Sequence, residues 1–245
     1  TAKKGDEIVD AGIRSARVLI ARRFADELDA AAVHDILLEF FPQEMGQGSM
    51  GSKELPRDYR GRGAVRLVVL PSGRKIVARL LKRGGMMRHV LRHNFFVLPF
   101  SSLIDMRPFA EFRILHSLNR NGIGVPVPAA AIIEKQCANL FYRGVLLTEF
   151  IPDVTNMLTL VEQVKSGSGS LDDLRNVGTK AGQEARRCLG QGVQHSDLHF
   201  GNVLFNASGQ VFLVDFDKAV RLPLNAPSTS HIVALRERWC RSVYR

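Results

Sequence analysis

The chain has little cysteine: Cys137, Cys188 and Cys240 are the only three in 245 residues. They are odd in number, far apart and match no zinc-ligand spacing. That excludes a disulfide scaffold and leaves a reduced, cytoplasmic protein as the expectation. No run of 18 apolar residues occurs, so no transmembrane helix is expected. The N-terminus lacks a basic start followed by a continuous apolar core, so no secretory signal is expected either. Aromatic residues make up 7% of the chain, with Trp239 the single tryptophan. No aromatic-plus-basic platform stands out, and no nucleic-acid partner is expected. Internal repeats are absent.

Positive charge is plentiful. Lys and Arg number 34 against 24 Asp and Glu, a net charge of +10. Such a surplus points to an anionic partner: nucleic acid, a negatively charged membrane surface or a phosphorylated substrate. Charge alone does not choose among these, or between them and simple solubility. Hydrophobic residues at 45% and charged residues at 24% suit a chain that buries a real core. The length allows one bilobal domain or two small ones.

Residues 6 to 22 read as a helix. Asp6, Glu7 and Asp10 come first and Arg14, Arg17, Arg22 and Arg23 later, as the helix dipole favours, and Val9, Ile13, Ala16 and Ile20 share a face. A second helix is expected from about Asp26 to Phe41, with Leu28, Ala32, Ile36 and Phe40 on one side. Together they form an N-terminal helical extension over residues 1–45. It either packs on the main domain or, as a basic amphipathic segment, touches an anionic membrane. Residues 46–53 (Gly-Gln-Gly-Ser-Met-Gly-Ser-Lys) are a linker by composition, and 166–170 (Ser-Gly-Ser-Gly-Ser) are a second such stretch.

Residues 54–150 read as a strand-rich lobe with one long helix. Val65–Leu70 and Lys75–Leu81 flank the turn Pro71-Ser-Gly-Arg74 as a hairpin. Pro108 to Asn121 is a helix with the stripe Phe109, Phe112, Leu115 and Leu118, and Gly122 is placed to cap it. Pro126 and Pro128 force an extended segment. Ala129–Ile133 and Val145–Phe150 read as strands. Residues 151–245 form a helical lobe, with helices at 155–165, 171–189 and about 230–244. Short strands at Val203–Phe205 and Val211–Val214 flank a turn.

The strongest chemical signal is His195-Ser-Asp197-Leu-His199-Phe-Gly-Asn202, followed by Val211-Phe-Leu-Val-Asp215-Phe-Asp217. Asn202 lies five residues after Asp197, and Asp215 thirteen after Asn202, with an expected hairpin between. Phosphoryl transfer needs a carboxylate to orient the attacking hydroxyl and take its proton. It also needs hard oxygen ligands to hold Mg²⁺ against the phosphates of ATP. Asp197 suits the first role; Asn202 and Asp215 suit the second, in the spacing of a kinase catalytic loop and its metal-binding Asp. His195 reads as a structural residue that holds the loop. His199 either contacts phosphate or caps the loop, and Asp217 either binds a second metal or caps a helix. Lys218 and Arg221 lie either near the substrate or on a solvated face.

The nucleotide-binding groups are expected upstream. Arg60-Gly61-Arg-Gly63-Ala-Val65 resembles a shortened phosphate-covering loop. Arg79, in Ile76-Val-Ala-Arg79-Leu-Leu, occupies the place of the ATP-binding lysine, with Lys82 as a nearby substitute. Glu111 on the long helix is its expected ion-pair partner. Leu147-Thr-Glu149-Phe-Ile151 matches a hinge where adenine binds through backbone groups.

These segments resemble the lipopolysaccharide kinase family of Gram-negative bacteria, its 3-deoxy-D-manno-octulosonic acid (Kdo) kinases in particular. The likeness rests on Gly61-Arg-Gly-Ala-Val, Arg79-Leu-Leu-Lys-Arg83-Gly84-Gly85, Phe109-Ala-Glu-Phe-Arg-Ile-Leu, Val125-Pro-Val-Pro-Ala, Leu146-Leu-Thr-Glu and the catalytic stretch ending Val214-Asp-Phe-Asp-Lys218, within residues 58 to 222. Arg in the lysine's place and D-F-D instead of D-F-G are similar to this group and differ from a plain protein kinase. The resemblance implies an α+β, bilobal protein-kinase-like fold. It also implies ATP and Mg²⁺, and phosphorylation of a Kdo hydroxyl on a lipid A precursor, an anionic glycolipid. The protein would be cytoplasmic and peripheral on the inner membrane. Arg83, Arg88, His89, Arg92 and His93 then either engage anionic sugar and phosphate groups or form a solvated basic helix.

Three other readings compete. Aminoglycoside and choline kinases share the H-x-D-x-x-x-x-N pattern, but their cationic substrates suit acidic clefts, unlike this basic chain. A pseudokinase scaffold is suggested by the missing lysine and opposed by the intact Asp197, Asn202 and Asp215. A nucleic-acid binder rests on charge alone.

Overall fold

The computed structural model describes residues 8–13, 16–40, 53–54, 65–81, 95–96, 106–136, 141–223 and 229–243. It divides into two units: residues 1–113 with 127–150, and residues 114–126 with 151–245.

The first unit is built on an antiparallel sheet. Its strands are β1 (Ile8–Ile13), β2 (Ala16–Ala21), β3 (Lys53–Glu54), β4 (Val65–Val69), β5 (Lys75–Leu80), β6 (Phe95–Phe96), β7 (Pro128–Gln136) and β8 (Phe141–Glu149). The order is β1-β2-β7-β8-β5-β4-β3, with β6 paired to β8. Among the described residues two α-helices accompany them, α1 (Ala30–Phe40) and α2 (Arg107–Arg120). Ala129 to Ile133 of β7 and Val145 to Leu147 of β8 are all buried. This is why both strands read as continuous apolar runs instead of alternating ones. The β4–β5 turn closes through Leu70 N–H to Arg74 O and Gly73 N–H to Leu70 O, both 2.8 Å. Gly73 sits at φ 83°, where a residue without Cβ is unstrained.

The expected helix over residues 6–22 is instead the β1–β2 hairpin, with Ile8 opposite Ala21 and Ile13 opposite Ala16. The 4-3-4 spacing of Val9, Ile13, Ala16 and Ile20 mimics a helical face. The consecutive Val18, Leu19 and Ile20 decide otherwise: all three are buried, on a strand held between β1 and β7. A strand covered on both sides wants an unbroken β-branched and apolar run. Two of the charges assigned to a helix dipole form a cross-strand pair instead, Arg17 Nη2 to Asp10 Oδ1 at 2.7 Å. The basic amphipathic membrane reading of this segment goes with the helix. The second expected helix is α1, with Ala32 and Ile36 buried. Of the linker at 46–53, residues 46–52 lie outside the described residues, and Lys53 pairs with Leu67 in β3.

Helix α2 buries Phe109, Phe112, Leu115 and Leu118. Fully burying a phenylalanine contributes roughly 1.5–3 kcal/mol. The helix ends at Gly122, φ 67°, with Ile123 N–H returning to Leu118 O at 3.1 Å. Residues to Arg113 group with the first unit and those from Ile114 with the second.

In the second unit α3 (Met157–Lys165) and α4 (Leu171–Gly190) carry the core. Around them lie β9 (Val154–Asn156), β10 (Val193–Gln194), β11 (Val203–Asn206), β12 (Val211–Leu213), β13 (Val220–Arg221) and α5 (Thr229–Val243). Helix α4 buries Val177, Ala181, Ala185, Cys188 and Leu189 along one face. Burial pushes the Cys188 thiol up to about 12, so it fills space as an inert apolar group. The stretch at 166–170 is an ordered turn, unlike the flexible linker its composition suggests. Ser168 N–H and Gly169 N–H both reach Gln163 O, and Ser170 caps α4 by accepting from Asp173 N–H at 3.3 Å. A Cβ on Gly169 would lie 2.9 Å from Gln163 Cβ and Val164 N.

Gly124 fixes how residues 114–126 meet β12. Its N–H donates to Glu184 Oε2 at 2.9 Å and its carbonyl accepts from Leu213 N–H at 2.8 Å. A Cβ there would stand 2.1 Å from Val211 O, so no side chain fits.

Candidate active site

The candidate site in the second unit is a loop and a strand end tied together by backbone hydrogen bonds. Strand β10 delivers His195, and a 3-10 turn at Phe200–Asn202 leads into β11. The β11–β12 hairpin pairs Val203 with Leu213. Just beyond that pair, Val214 N–H donates to Asn202 O at 3.0 Å. Thirteen residues of sequence thus return Asp215 to the neighbourhood of Asn202, as expected from a hairpin.

Asn202 is buried, and its Nδ2 donates to the Asp197 carbonyl at 2.8 Å, closing the loop. That commitment leaves Oδ1 as its metal-capable atom. Asp215 takes φ 66°, a left-handed conformation that is uncommon for a residue with a side chain. Strain of this kind gathers where a side chain must be aimed. Asp217 lies two residues on, in a turn closed by Ala219 N–H to Phe216 O at 3.0 Å. Among the described residues no group of three or more His, Cys, Asp or Glu could hold a metal ion. Two carboxylates and an amide oxygen fit Mg²⁺, which keeps waters and substrate phosphates in its shell.

His195 is buried and works as the loop's brace. Its Nε2 lies 2.9 Å from Val214 O, its Nδ1 accepts from Asp197 N–H at 3.3 Å, and its ring lies 4.4 Å from that of Phe216. Only the neutral ring protonated on Nε2 serves both bonds. Burial pushes its pKa below the ordinary 6.5, against the upward pull of the Val214 carbonyl, Asp215 and Asp197. The unfolded chain therefore binds a proton that the folded one resists, and stability falls as pH drops below about 6.5. The denaturant midpoint should be lower at about pH 5.5 than at about pH 7.5, and His195→Asn should flatten that difference. Equal pH slopes in the two proteins would remove His195 as the source.

His199 caps the 3-10 turn, its Nδ1 accepting from Gly201 N–H at 3.1 Å. Of its two expected roles, the cap is the one this geometry contains. Asn156, the N-cap of α3, holds the same turn by donating from Nδ2 to Gly201 O at 2.8 Å. This brace had no sequence signal beyond an Asn before a helix.

Asp197 accepts a hydrogen bond from Lys218 Nζ at 2.7 Å. Burial acts to raise its pKa, but the Lys218 hydrogen bond and charge, with His199 and His195, outweigh that and hold the carboxyl below its ordinary value. Asp197 is thus ionised at neutral pH, as a proton acceptor must be.

In the first unit, Arg79 on β5 and Glu111 on α2 form an ion pair. Arg79 Nη2 lies 2.5 Å from Oε1 and 2.6 Å from Oε2. Glu111 is 2% exposed and Arg79 25%. Glu149 ends β8; its carboxylate accepts from Arg23 at 3.1 Å, and its N–H donates to Val127 O at 2.8 Å. Adenine at this edge would be met by groups other than that N–H. Arg23 comes from the segment after β2, so the N-terminal region reaches the expected hinge. Gly61, Gly63, Lys82 and the basic run Arg83, Arg88, His89, Arg92 and His93 lie outside the described residues.

A strand-rich unit with the Arg79–Glu111 pair, and a helix-rich unit with the Asp197–Asn202 loop and Asp215, define a protein-kinase-like fold. The chain belongs to the lipopolysaccharide kinase (Kdo/WaaP) family, whose model matches residues 53–229. It is similar to the 3-deoxy-D-manno-octulosonic acid kinase of Vibrio vulnificus (strain CMCP6), 34% identical over 160 residues, 64% of this chain and 61% of that one. It is also similar to the enzymes of that name from Xanthomonas oryzae pv. oryzae (strain PXO99A), 32% identical over 71% of this chain and 65% of the relative, and Xanthomonas axonopodis pv. citri (strain 306), 33% identical over the same shares. The matches thus span less than two thirds of these relatives' lengths. Among solved structures, WaaP in complex with acyl carrier protein aligns with a TM-score of 0.49 and 13% identity, over 83% of this chain and 74% of that one.

Proposed function

We propose that this chain transfers the γ-phosphoryl group of ATP to a sugar hydroxyl of Kdo on a lipid A precursor. The observation that carries the reading is the Asp197–Asn202 loop: a carboxylate kept ionised, an amide whose oxygen is left for metal, and Asp215 returned beside it. Asp197 orients the acceptor hydroxyl and takes its proton. The acceptor oxygen bonds to the γ-phosphorus, the bond to the bridging oxygen breaks, and ADP leaves with that electron pair. Asn202 and Asp215, with Asp217 as a further candidate, would hold Mg²⁺, which when bound would supply charge to neutralise the phosphates. Arg79, held by Glu111, pairs with the α and β phosphates. His199 serves this centre as a cap for the loop.

The acceptor class rests on relatives named Kdo kinases and on a chain charge of +10, which suits an anionic glycolipid. No described helix is long and apolar enough to cross a membrane. Because the proposed acceptor is a lipid, the work would take place at the membrane surface, on the cytoplasmic face of the inner membrane. The test is transfer of labelled γ-phosphate from Mg-ATP to a Kdo-bearing lipid A precursor. Label on the lipid is expected; ATP binding without label on any Kdo acceptor would move the acceptor elsewhere.

A further inference from the structure

Lys218 is the cation that keeps Asp197 ionised, and the roles above give it no part in the transfer itself. It stands three residues after Asp215, in the turn closed by Ala219 N–H to Phe216 O at 3.0 Å. From there its Nζ reaches Asp197 Oδ2 at 2.7 Å, across 21 residues of sequence. The pair is open to solvent, with side chains 54% and 35% exposed. A pair this exposed contributes little to stability, so the fold does not account for so close an approach.

The chemistry does. The transferring phosphoryl group carries charge on its three outer oxygens, and a preorganised cation nearby stabilises it. The catalytic loop supplies none of its own. Between Asp197 and Asn202 stand Leu198, His199, Phe200 and Gly201, and His199 is engaged in capping Gly201.

Resting on the phosphotransferase reading above, we propose that Lys218 is a second catalytic residue, its ammonium binding oxygens of the transferring phosphoryl group. In the free protein it holds the Asp197 carboxylate. During transfer the acceptor O–H proton passes to Asp197, whose carboxyl becomes neutral and loosens its grip on the ammonium. In the same step the acceptor oxygen–phosphorus bond forms, the bond from phosphorus to the bridging oxygen breaks, and ADP takes that electron pair. Lys218, already beside Asp197 and on a flexible stem, shifts its pairing to the phosphoryl oxygens as the proton moves, so its ammonium stands against them while their charge builds. The proton and the cation change places at one carboxylate.

The experiment compares wild type, Lys218→Met and Lys218→Arg in steady-state transfer from Mg-ATP to a Kdo-bearing lipid A precursor. Release of ADP with water as acceptor is followed in parallel. Lys218→Met is expected to lower kcat on the order of 10²-fold, with KM for ATP within about twofold and an unchanged melting temperature. Lys218→Arg should recover most of the loss, because the charge is what acts. Turnover of Lys218→Met equal to wild type, a loss confined to KM, or no recovery with arginine would each overturn the proposal. If wild type leaves the Kdo acceptor unlabelled, the acceptor reading fails by itself. A fall in water-dependent ADP release with Lys218→Met then still supports the proposal, and an unchanged rate overturns it. Wild type that binds Mg-ATP and yields ADP with neither acceptor overturns both.

Discussion

Replacing Asp197 by alanine is expected to lower turnover by about 10²-fold or more while Mg-ATP still binds. The side chain is 35% exposed and its cation partner is exposed too, so removing it costs the fold little. The loop itself is held by other atoms: the Asp197 carbonyl receives Asn202 Nδ2, and the Asp197 N–H goes to His195. Backbone groups make both bonds, and alanine keeps them. The loss should therefore appear in the chemical step. Single-turnover transfer and nucleotide titration on the same preparation separate the two quantities. Turnover close to wild type would sink the assignment of Asp197 as base. Because its carboxyl is held below the ordinary range, the base form should persist to lower pH than an unperturbed Asp allows. The acid limb of kcat should then move up when Lys218 is neutralised.

The second large effect is expected at Arg79. Glu111 is 2% exposed, and Arg79→Met would leave its carboxylate buried without that guanidinium. Breaking a buried pair from one side costs about 3–5 kcal/mol, chiefly from the charge left behind. Adding Glu111→Leu removes that charge and should regain much of the loss. Nucleotide affinity should not return with it, since the arginine proposed to meet the phosphates is still missing. Denaturant unfolding of the single and double variants, beside Mg-ATP titration, reads both. A single variant within about 1 kcal/mol of wild type would mean the pair is not the anchor it resembles. A double variant that binds ATP normally would make the pair a purely structural one.

The parts legible in the sequence are those whose determinants are local. The stripe of Phe109, Phe112, Leu115 and Leu118 with Gly122 after it specifies α2 and its end within one window. The Asp197–Asn202–Asp215 spacing is readable because a hairpin is itself a local element. Arg79 and Glu111 could be paired from their places in a strand and a helix. What escaped depends on partners distant in sequence. Within residues 6 to 22 the run Val18, Leu19 and Ile20 is the local sign of a strand, but the 4-3-4 spacing competes with it, and β7, which lies against β2, is far along the chain. Strands β10 and β13 are two-residue pairings without a periodic signature. Lys218 could be placed near the substrate or in solvent, but its partner 21 residues back was not visible. The capping role of His199 depended on the turn that follows it, which spacing alone left open.

The pairing of β2 with β7 also has a consequence in time. Ile20 lies opposite Ala130, so about 110 residues separate the two strands in sequence. At the roughly 5–20 residues per second of synthesis, the hairpin emerges from the ribosome some 5–20 s before its neighbour exists. During that interval one edge of β2, with Val18, Leu19 and Ile20, has only β1 beside it. A newborn chain must shield that edge or risk pairing it with another, and β7 in turn joins a partner that has already been waiting.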